Sequence, residues 1–350
     1  MKFPQKHLEK FLTCISNAQT MASLSLNQYQ TLDDILIAVF EELLKRPFNN
    51  KNNRGISSEI IGLSFTLTNP RARLSRSEIK SKAFSTLGEL LWYLAGSNEL
   101  KFIEHYIEDY KEDSDDGKTL YGAYGPRLFN MRDQYNQFEN ITKLLTKNPL
   151  TRKAVIQLFD AMDLVGEHKE IPCTCTIQFL IRANKLNMYV SMRSNDAYKG
   201  LPHDIFAFTM LQEIMARKLG IELGHYHHSV GSLHLYQTQV KQATQFVGEG
   251  YQELGLNMAP MPFGDPWPSI INLLKYEAGI RTGEISEVDS SGLDDYWENL
   301  AKLLLIYKLS YTKNTQERIK DIMTTMDPIY KVYITPRIKK VNKLNQKDGE

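Results

Sequence analysis

The chain has 350 residues, enough for one large domain or a domain with a sizeable appendage. Its 42 Lys and Arg against 41 Asp and Glu leave a net charge of +1, which excludes the basic excess of a general nucleic-acid binder, and 42% apolar with 10% aromatic residues exclude global disorder. Three cysteines (Cys14, Cys173, Cys175) make no disulfide framework; with no signal-peptide core and no run of about 18 apolar residues, the reading is a soluble cytoplasmic protein.

Residues 31–46 read as an amphipathic helix, with Ile35, Ala38, Val39 and Leu43 on one stripe. Residues 59–68 alternate as a strand, which Pro70 helps to end. Residues 78–95 read as a long helix with Phe84, Leu87, Leu91 and Leu94 buried and Gly96 just past its end. The polar, Tyr- and Gly-rich stretch 105–138 reads mostly as loop. A strand is expected at 153–160, then a hairpin from 174–181 and 186–192 turned at Ala183-Asn184-Lys185. A buried helix follows over 204–219, with Asp204 at its start and Gly220 past its close, then a strand over 226–236. The segment MAPMPFGDPWP breaks the pattern. It divides the chain into residues 1–265 and a helical extension, 266–350, with helices near 269–278, 294–309 and 315–325. The tail from Lys331, with six basic and two acidic residues, reads as a solvated mobile end. Strands with segregated helices give an α/β (α+β) class.

Several residues can carry chemistry. Cys173 and Cys175 flank Thr174 at a strand start, and alternation puts them on one side. Alone, two strand cysteines are more often inert core residues than a nucleophile, and no further Cys lies nearby to complete a soft metal site, so no metal is expected. Arg193-Ser194 at a strand end suits a phosphate dianion, a bidentate fork beside a hydroxyl; an ordinary surface arginine is the competing reading. His234 and Tyr236 share one strand face, either structurally or to bond one sugar hydroxyl. Glu89 is the only acid inside the apolar stretch 83–95; desolvation would raise its pKa into the range of proton transfer, unless it faces solvent.

Taken together and in order, these segments resemble the thymidylate synthase family. The resemblance rests on Glu89-Leu90-Leu91-Trp92-Tyr93-Leu94, Tyr124-Gly125, Thr151-Arg152-Lys153, Pro172-Cys173, Gln178-Phe179, Arg193-Ser194-Asn195-Asp196, Gly200-Leu201-Pro202 and His234-Leu235-Tyr236, over roughly residues 30–250. It implies a three-layer fold whose mixed sheet forms a homodimer interface. It also implies one-carbon transfer from 5,10-methylenetetrahydrofolate to C5 of a pyrimidine nucleoside monophosphate. By position, Cys173 would add to C6 of the base. Arg54, Arg193 and Ser194 would hold the phosphate, helped by Arg152 and Lys153 of the second subunit. His234 and Tyr236 would hold the ribose, Glu89 and Tyr124 would organise a proton-relaying water, and Asp196 and Gly200 would meet the folate.

Departures from the family pattern shape the substrate expectation. Where the family has a base-reading Asn, this chain has Asp204, which resembles the phage deoxycytidylate hydroxymethylases and related CMP hydroxymethylases. A carboxyl group accepts from cytosine N4 while a shared proton bridges to N3; a helix cap is the competing role. The family's shielding Trp residues are missing, with Tyr106 and Tyr110 in that region and no Trp between 93 and 266. Water would then reach the exocyclic methylene. Thr174 stands for the family's His after the nucleophile and Ser232 for its Asp. The helical region 269–330 replaces the short closing C-terminus. The expectation is folate-dependent hydroxymethylation of dCMP, less so CMP. A dUMP enzyme (thymidylate synthase or dUMP hydroxymethylase) and a non-catalytic nucleotide binder are the alternatives.

Overall fold

The computed structural model describes residues 27–52, 54–77, 82–250, 257–289 and 292–346. Cys14 and residues 78–81 of the expected long helix lie outside them. The sheet is mixed. Strands β1 (Gln28–Tyr29), β3 (Gly55–Leu67), β7 (Glu222–Tyr236), β6 (Lys185–Asp196), β5 (Thr174–Arg182) and β4 (Val155–Gln157) lie side by side in that order, and short β2 (Asn50–Asn52) pairs with β3. The β6–β7 and β1–β3 pairs are parallel; the others are antiparallel.

Local chemistry explains most boundaries. Helix α1 (Leu32–Lys45) opens on a capping box in which Thr31 and Asp34 satisfy each other's backbone N–H. The β5–β6 hairpin turns on Ala183 and Asn184, both at positive φ (48° and 56°), the two-residue turn whose twist matches the strands. Helix α6 (Gly200–Lys218) ends before Gly220, at φ 67°. Helix α2 (Ala83–Leu94) is buried almost all round, and β7 begins four residues before the expected strand.

Several expectations are corrected. The stretch 105–138 holds more than loop: α3 (Leu100–Glu104) ends just before it, a 3-10 turn (Glu108–Glu112) and α4 (Tyr124–Phe129) lie inside it, and α5 (Gln137–Lys147) starts there. These helices are too short or too polar to show a clear apolar period. The strand at 153–160 shrinks to three residues. Helix α6 starts four residues ahead of Asp204, because Asp196 Oδ1 accepts from the N–H groups of Tyr198 and Lys199 (2.7 and 2.8 Å) and turns the chain there. Asp204 is therefore not a cap.

After α7 (Val240–Gly248) come α8 (Trp267–Thr282), α9 (Asp295–Leu309), α10 (Gln316–Thr324) and α11 (Lys331–Gln346). The basic tail is no loose end. Residues 331–346 form α11, which buries Tyr333, Ile334 and Val341 and lays Arg337 over Phe84 (4.5 Å) and Tyr307 (5.1 Å). Its charged heads stay outside while its stems and one face pack. Trp297, Leu300 and Ile306 of α9 bury into the same apolar core as α2 and α6.

The inside–outside alternation changes phase together on the three central strands. Buried positions run Ser58, Ile60 and then Phe65, Leu67 on β3; Val190, Met192 and then Asn195 on β6; and His228, Val230 and then Leu233, Leu235 on β7. Met192 pairs with Val230 and Asn195 with Leu233, so the shifts lie at one level of the sheet. Two glycines permit it. Gly62 sits at φ 68°, and a Cβ on Gly231 would stand 2.9 Å from the Arg193 carbonyl oxygen. This kink decides where the ends of β6 and β7 aim their side chains.

Candidate active site

Cys173 precedes β5, and a bulge between Thr174 and Thr176 breaks the alternation expected to carry it to the same side as Cys175. The thiol sits part-buried between two opposite charges. It donates to Glu170 Oε1 at 3.5 Å, and the Arg193 guanidinium lies 3.7 Å from Sγ. Arg193 is held by the carbonyls of Pro172 (3.0 Å) and Ile171 (2.9 Å), and its backbone N–H bonds the Cys173 carbonyl (2.8 Å). Burial first, then Glu170, pushes the thiol up to about 12, against the pull of Arg193.

Glu170 joins the expected phosphate arginines. Its Oε2 meets Arg54 Nη2 at 2.8 Å and its Oε1 meets Arg193 at 3.3 Å, while Asp113 meets the same Arg54 nitrogen at 2.5 Å. Arg54 is positioned by β2: its N–H donates to Asn52, whose amide donates to Tyr236 (3.3 Å). Ser194 pairs with Ser232 and Asp196 with His234 across β6–β7, and the His234 and Tyr236 rings meet edge-on at 5.1 Å. Ser232 donates to Glu59. Arg54, Arg193, His234 and Tyr236 thus converge on one end of the central strands.

The neighbouring cluster is made of acids and phenols. Glu89 is only 5% exposed, which rules out a solvent-facing role. Its Oε1 accepts from Tyr93 (3.0 Å) and from Tyr110, and Oε2 has no partner among the described residues. Burial raises its pKa, against the two phenol hydrogen bonds. Tyr124 lies against Tyr93 (5.2 Å between centroids), and its oxygen accepts from the Thr174 N–H and hydroxyl, both at 3.0 Å. Asp204 sits within reach of Glu89's charge and is hydrogen-bonded to Asn195. Burial, reinforced by Glu89, raises its pKa well above the ordinary carboxylate range, which favours the neutral acid. Asn195 leads on to His228 Nε2 (3.4 Å), whose Nδ1 meets the Tyr226 hydroxyl (2.8 Å); burial takes His228 down to about 3, so it is neutral. A Cβ on Gly200 would lie 2.7 Å from Asn195 Oδ1 and 3.5 Å from Asp204 Oδ2, so glycine there keeps room beside the acid.

A thiol beside a guanidinium, two arginines meeting one glutamate and two acids with raised pKa values gather in this part of the fold. The thymidylate synthase family model matches residues 50–263. The chain belongs to the thymidylate synthase family. It is 32% identical over 197 residues to the deoxyuridylate hydroxymethyltransferase of Delftia phage PhiW-14, covering 52% of this chain and 54% of that one. It is 29% identical over 201 residues to the enzyme of the same name from Pseudomonas phage M6, covering 55% and 56%. It is 26% identical over 254 residues to the thymidylate synthase of Buchnera aphidicola subsp. Baizongia pistaciae, covering 69% and 94%. The chain spans about half the length of the two phage relatives. Those relatives are named for deoxyuridylate, where the sequence reading leaned to a cytosine nucleotide.

Other expected site residues take different positions. Arg152 and Lys153 are exposed, just before the edge strand β4. Among the described residues neither side chain bonds the Cys173 cluster; the Arg152 carbonyl accepts from Gln178 (2.8 Å). Asp196 already accepts from two backbone N–H groups on Oδ1 and from Gln239 on Oδ2 (3.0 Å). Tyr110 bonds Glu89 and lies 5.6 Å from the Trp92 ring, whereas the Tyr106 hydroxyl turns away to Glu277 of α8 (2.9 Å). Sequence reasoning missed Glu170, Asp113 and His228. An acid three residues before the thiol was a readable signal for Glu170; Asp113 and His228 gave none. No group of three or more metal-binding side chains and no membrane-crossing helix occurs among the described residues.

Proposed function

We propose that this chain hydroxymethylates C5 of a pyrimidine deoxynucleotide, with dUMP as substrate and methylenetetrahydrofolate as one-carbon donor. The bound folate supplies a carbon at the formaldehyde level, and water supplies the hydroxyl oxygen. Glu89 Oε2, buried and without a partner among the described residues, is left to accept from a bound polar group. Arg54, Arg193 and Ser194 hold the 5′-phosphate, and His234 and Tyr236 the sugar hydroxyl. Cys173 Sγ bonds to C6, and the displaced electron pair makes C5 the nucleophile. Glu89 and Tyr124 hold the water that moves protons, and Asp196 and Gly200 line the folate side.

One feature carries the choice of base: Asp204, bonded to Asn195 and set beside Glu89, where burial and then the Glu89 charge push its pKa up and favour the neutral acid. A neutral carboxyl group offers one donor and one acceptor side by side. Uracil needs both, for O4 and N3–H, so this acid takes the place of the family's amide. The names of the two phage relatives point the same way. The same group, turned over, accepts from cytosine N4, so dCMP (and after it CMP) is the second reading. The hydroxymethyl product, rather than methyl, is supported by the absence of a Trp shield, with the polar hydroxyl of Tyr110 at Glu89 instead.

A second copy of the chain completes the site in this proposal. The sheet face away from α1 and α6 exposes Ile61 (75%) and Tyr189 (39%), and Arg152 and Lys153 stand apart from their own subunit's cluster. Residues 266–350 act as an extension of the catalytic unit, 1–265.

The test uses dUMP and dCMP carrying tritium at C5, incubated with methylenetetrahydrofolate, and mass spectrometry of the product. The expected result is tritium release from dUMP and a hydroxymethyl product. Release from dCMP alone overturns the base assignment, a methyl product overturns the water step, and release from neither favours a non-catalytic binder. Asp204→Asn, which still offers a donor and an acceptor to O4 and N3–H, is expected to keep dUMP turnover, and Asp204→Ala to lose it; full dUMP turnover in Asp204→Ala removes Asp204 as the reader of the base.

A further inference from the structure

Glu170 has no part in the chemistry above, yet it touches three residues that chemistry needs. Its Oε2 is 2.8 Å from Arg54, its Oε1 is 3.3 Å from Arg193, and the same Oε1 accepts from the Cys173 thiol at 3.5 Å. Glu170 therefore sits where an anion bridging the two arginines would sit. Counting Arg54, Arg193, Asp113 and Glu170, the seat has no net charge as it stands. A phosphate dianion gains little from a neutral seat and much from one whose carboxylate has left. The exchange is open to solvent, with the side chains of Arg54, Arg193 and Glu170 exposed by 55%, 37% and 28%. Ion pairs so exposed are weak enough to trade partners.

We propose that Glu170 is a built-in anion gate, which fills the phosphate seat and holds the Cys173 thiol protonated until a nucleotide phosphate displaces it. The proposal rests on the function reading above, through the assignment of Arg54 and Arg193 to the phosphate. Displacement would do two things at once. It would free both guanidiniums for the phosphate, and it would remove the carboxylate that opposes thiolate formation, leaving Arg193 on the sulfur. The charged and titratable groups around Cys173 are Glu170, Arg193, Asp204, Arg54 and Tyr124; of these, Glu170 opposes the thiolate most strongly and Arg193 favours it. An enzyme gated in this way keeps its nucleophile unreactive toward stray electrophiles while the site is empty.

The test compares the full-length protein with Glu170→Gln, which keeps the shape and removes the charge, and with Glu170→Ala. Iodoacetamide alkylation of Cys173 is followed across pH, with fragment-ion mass spectrometry separating it from Cys175 on the same peptide. Inorganic phosphate and dUMP binding are measured by calorimetry. Both variants are expected to alkylate Cys173 roughly tenfold faster near neutral pH, the change in thiolate fraction for one pKa unit. Their pH profile moves to lower pH, and they bind phosphate more tightly than the parent. Slower alkylation would make Glu170 the base that deprotonates the thiol, and an unchanged profile would make it merely structural; either result overturns the gate while leaving the phosphate seat intact. If neither parent nor variants bind phosphate or dUMP, the seat itself fails, and the function reading fails with it.

Discussion

Gly88 precedes Glu89 on α2, and substituting it tests how rigidly the C-terminal extension fixes the acid. An added Cβ would stand 2.2, 2.5 and 2.6 Å from three ring atoms of Tyr106. That ring has nowhere to go. It is buried, lies against Tyr307 of α9 at 5.3 Å, and its hydroxyl donates to the fully buried Glu277 at 2.9 Å. Overpacking a tight core costs about 1–3 kcal/mol, and losing a hydrogen bond to a charged group costs about 1.5–3 kcal/mol. Gly88→Ala is therefore expected to destabilise by about 3–5 kcal/mol, a large share of a typical ~5–15 kcal/mol. Urea denaturation of Gly88→Ala, Tyr106→Ala and the double variant gives the cycle. In the Tyr106→Ala background the added methyl has space, so its effect should fall below about 1 kcal/mol. Additive effects, or a Gly88→Ala protein as stable as the parent, would refute the claim that the Tyr106 ring locks α2 to the extension.

Glu213→Gln strands Arg73, which is fully buried and ion-paired to it, and weakens Arg71, whose Nε lies 2.8 Å away; destabilisation of about 3–5 kcal/mol in urea is expected. Burial alone would raise the Glu213 pKa, but Arg73 and Arg71 outweigh it and leave it lowered. Its stabilisation is thus present above the unfolded carboxylate pKa and lost as pH falls through the folded one, so the parent's midpoint should drop on acidification and the variant's should drop less. Tyr110→Phe removes a donor that favours ionised Glu89. The Glu89 pKa should rise further, moving the acid limb of the kcat/KM profile to higher pH; an unmoved limb would separate Glu89 from proton transfer.

Local signals carried much of the fold because local physics decided it. Thr31 with Asp34 began α1, the apolar stripe of 83–94 made α2, and the Ala183-Asn184 turn closed the hairpin. The start of α6 was misplaced because an Asx-type turn at Asp196 competes with any reading of Asp204 as a cap. The basic tail was misread because charge density hid a buried stripe of Tyr333, Ile334 and Val341, and because Arg337 finds its place over Phe84 of α2 and Tyr307 of α9 only in the folded chain.

By itself the sequence determined which residue types stand in the family's motifs, including the thiol at 173, the arginines at 54 and 193 and the acid at 204. Only the tertiary structure decided their state. Whether Asp204 holds a proton depends on burial and on Glu89, more than a hundred residues away in the chain; whether Cys173 faces a carboxylate or a cation depends on where the loop before β5 sets Glu170. Motifs record side chains, whereas desolvation and Coulomb energy depend on distances that exist only once the chain has folded.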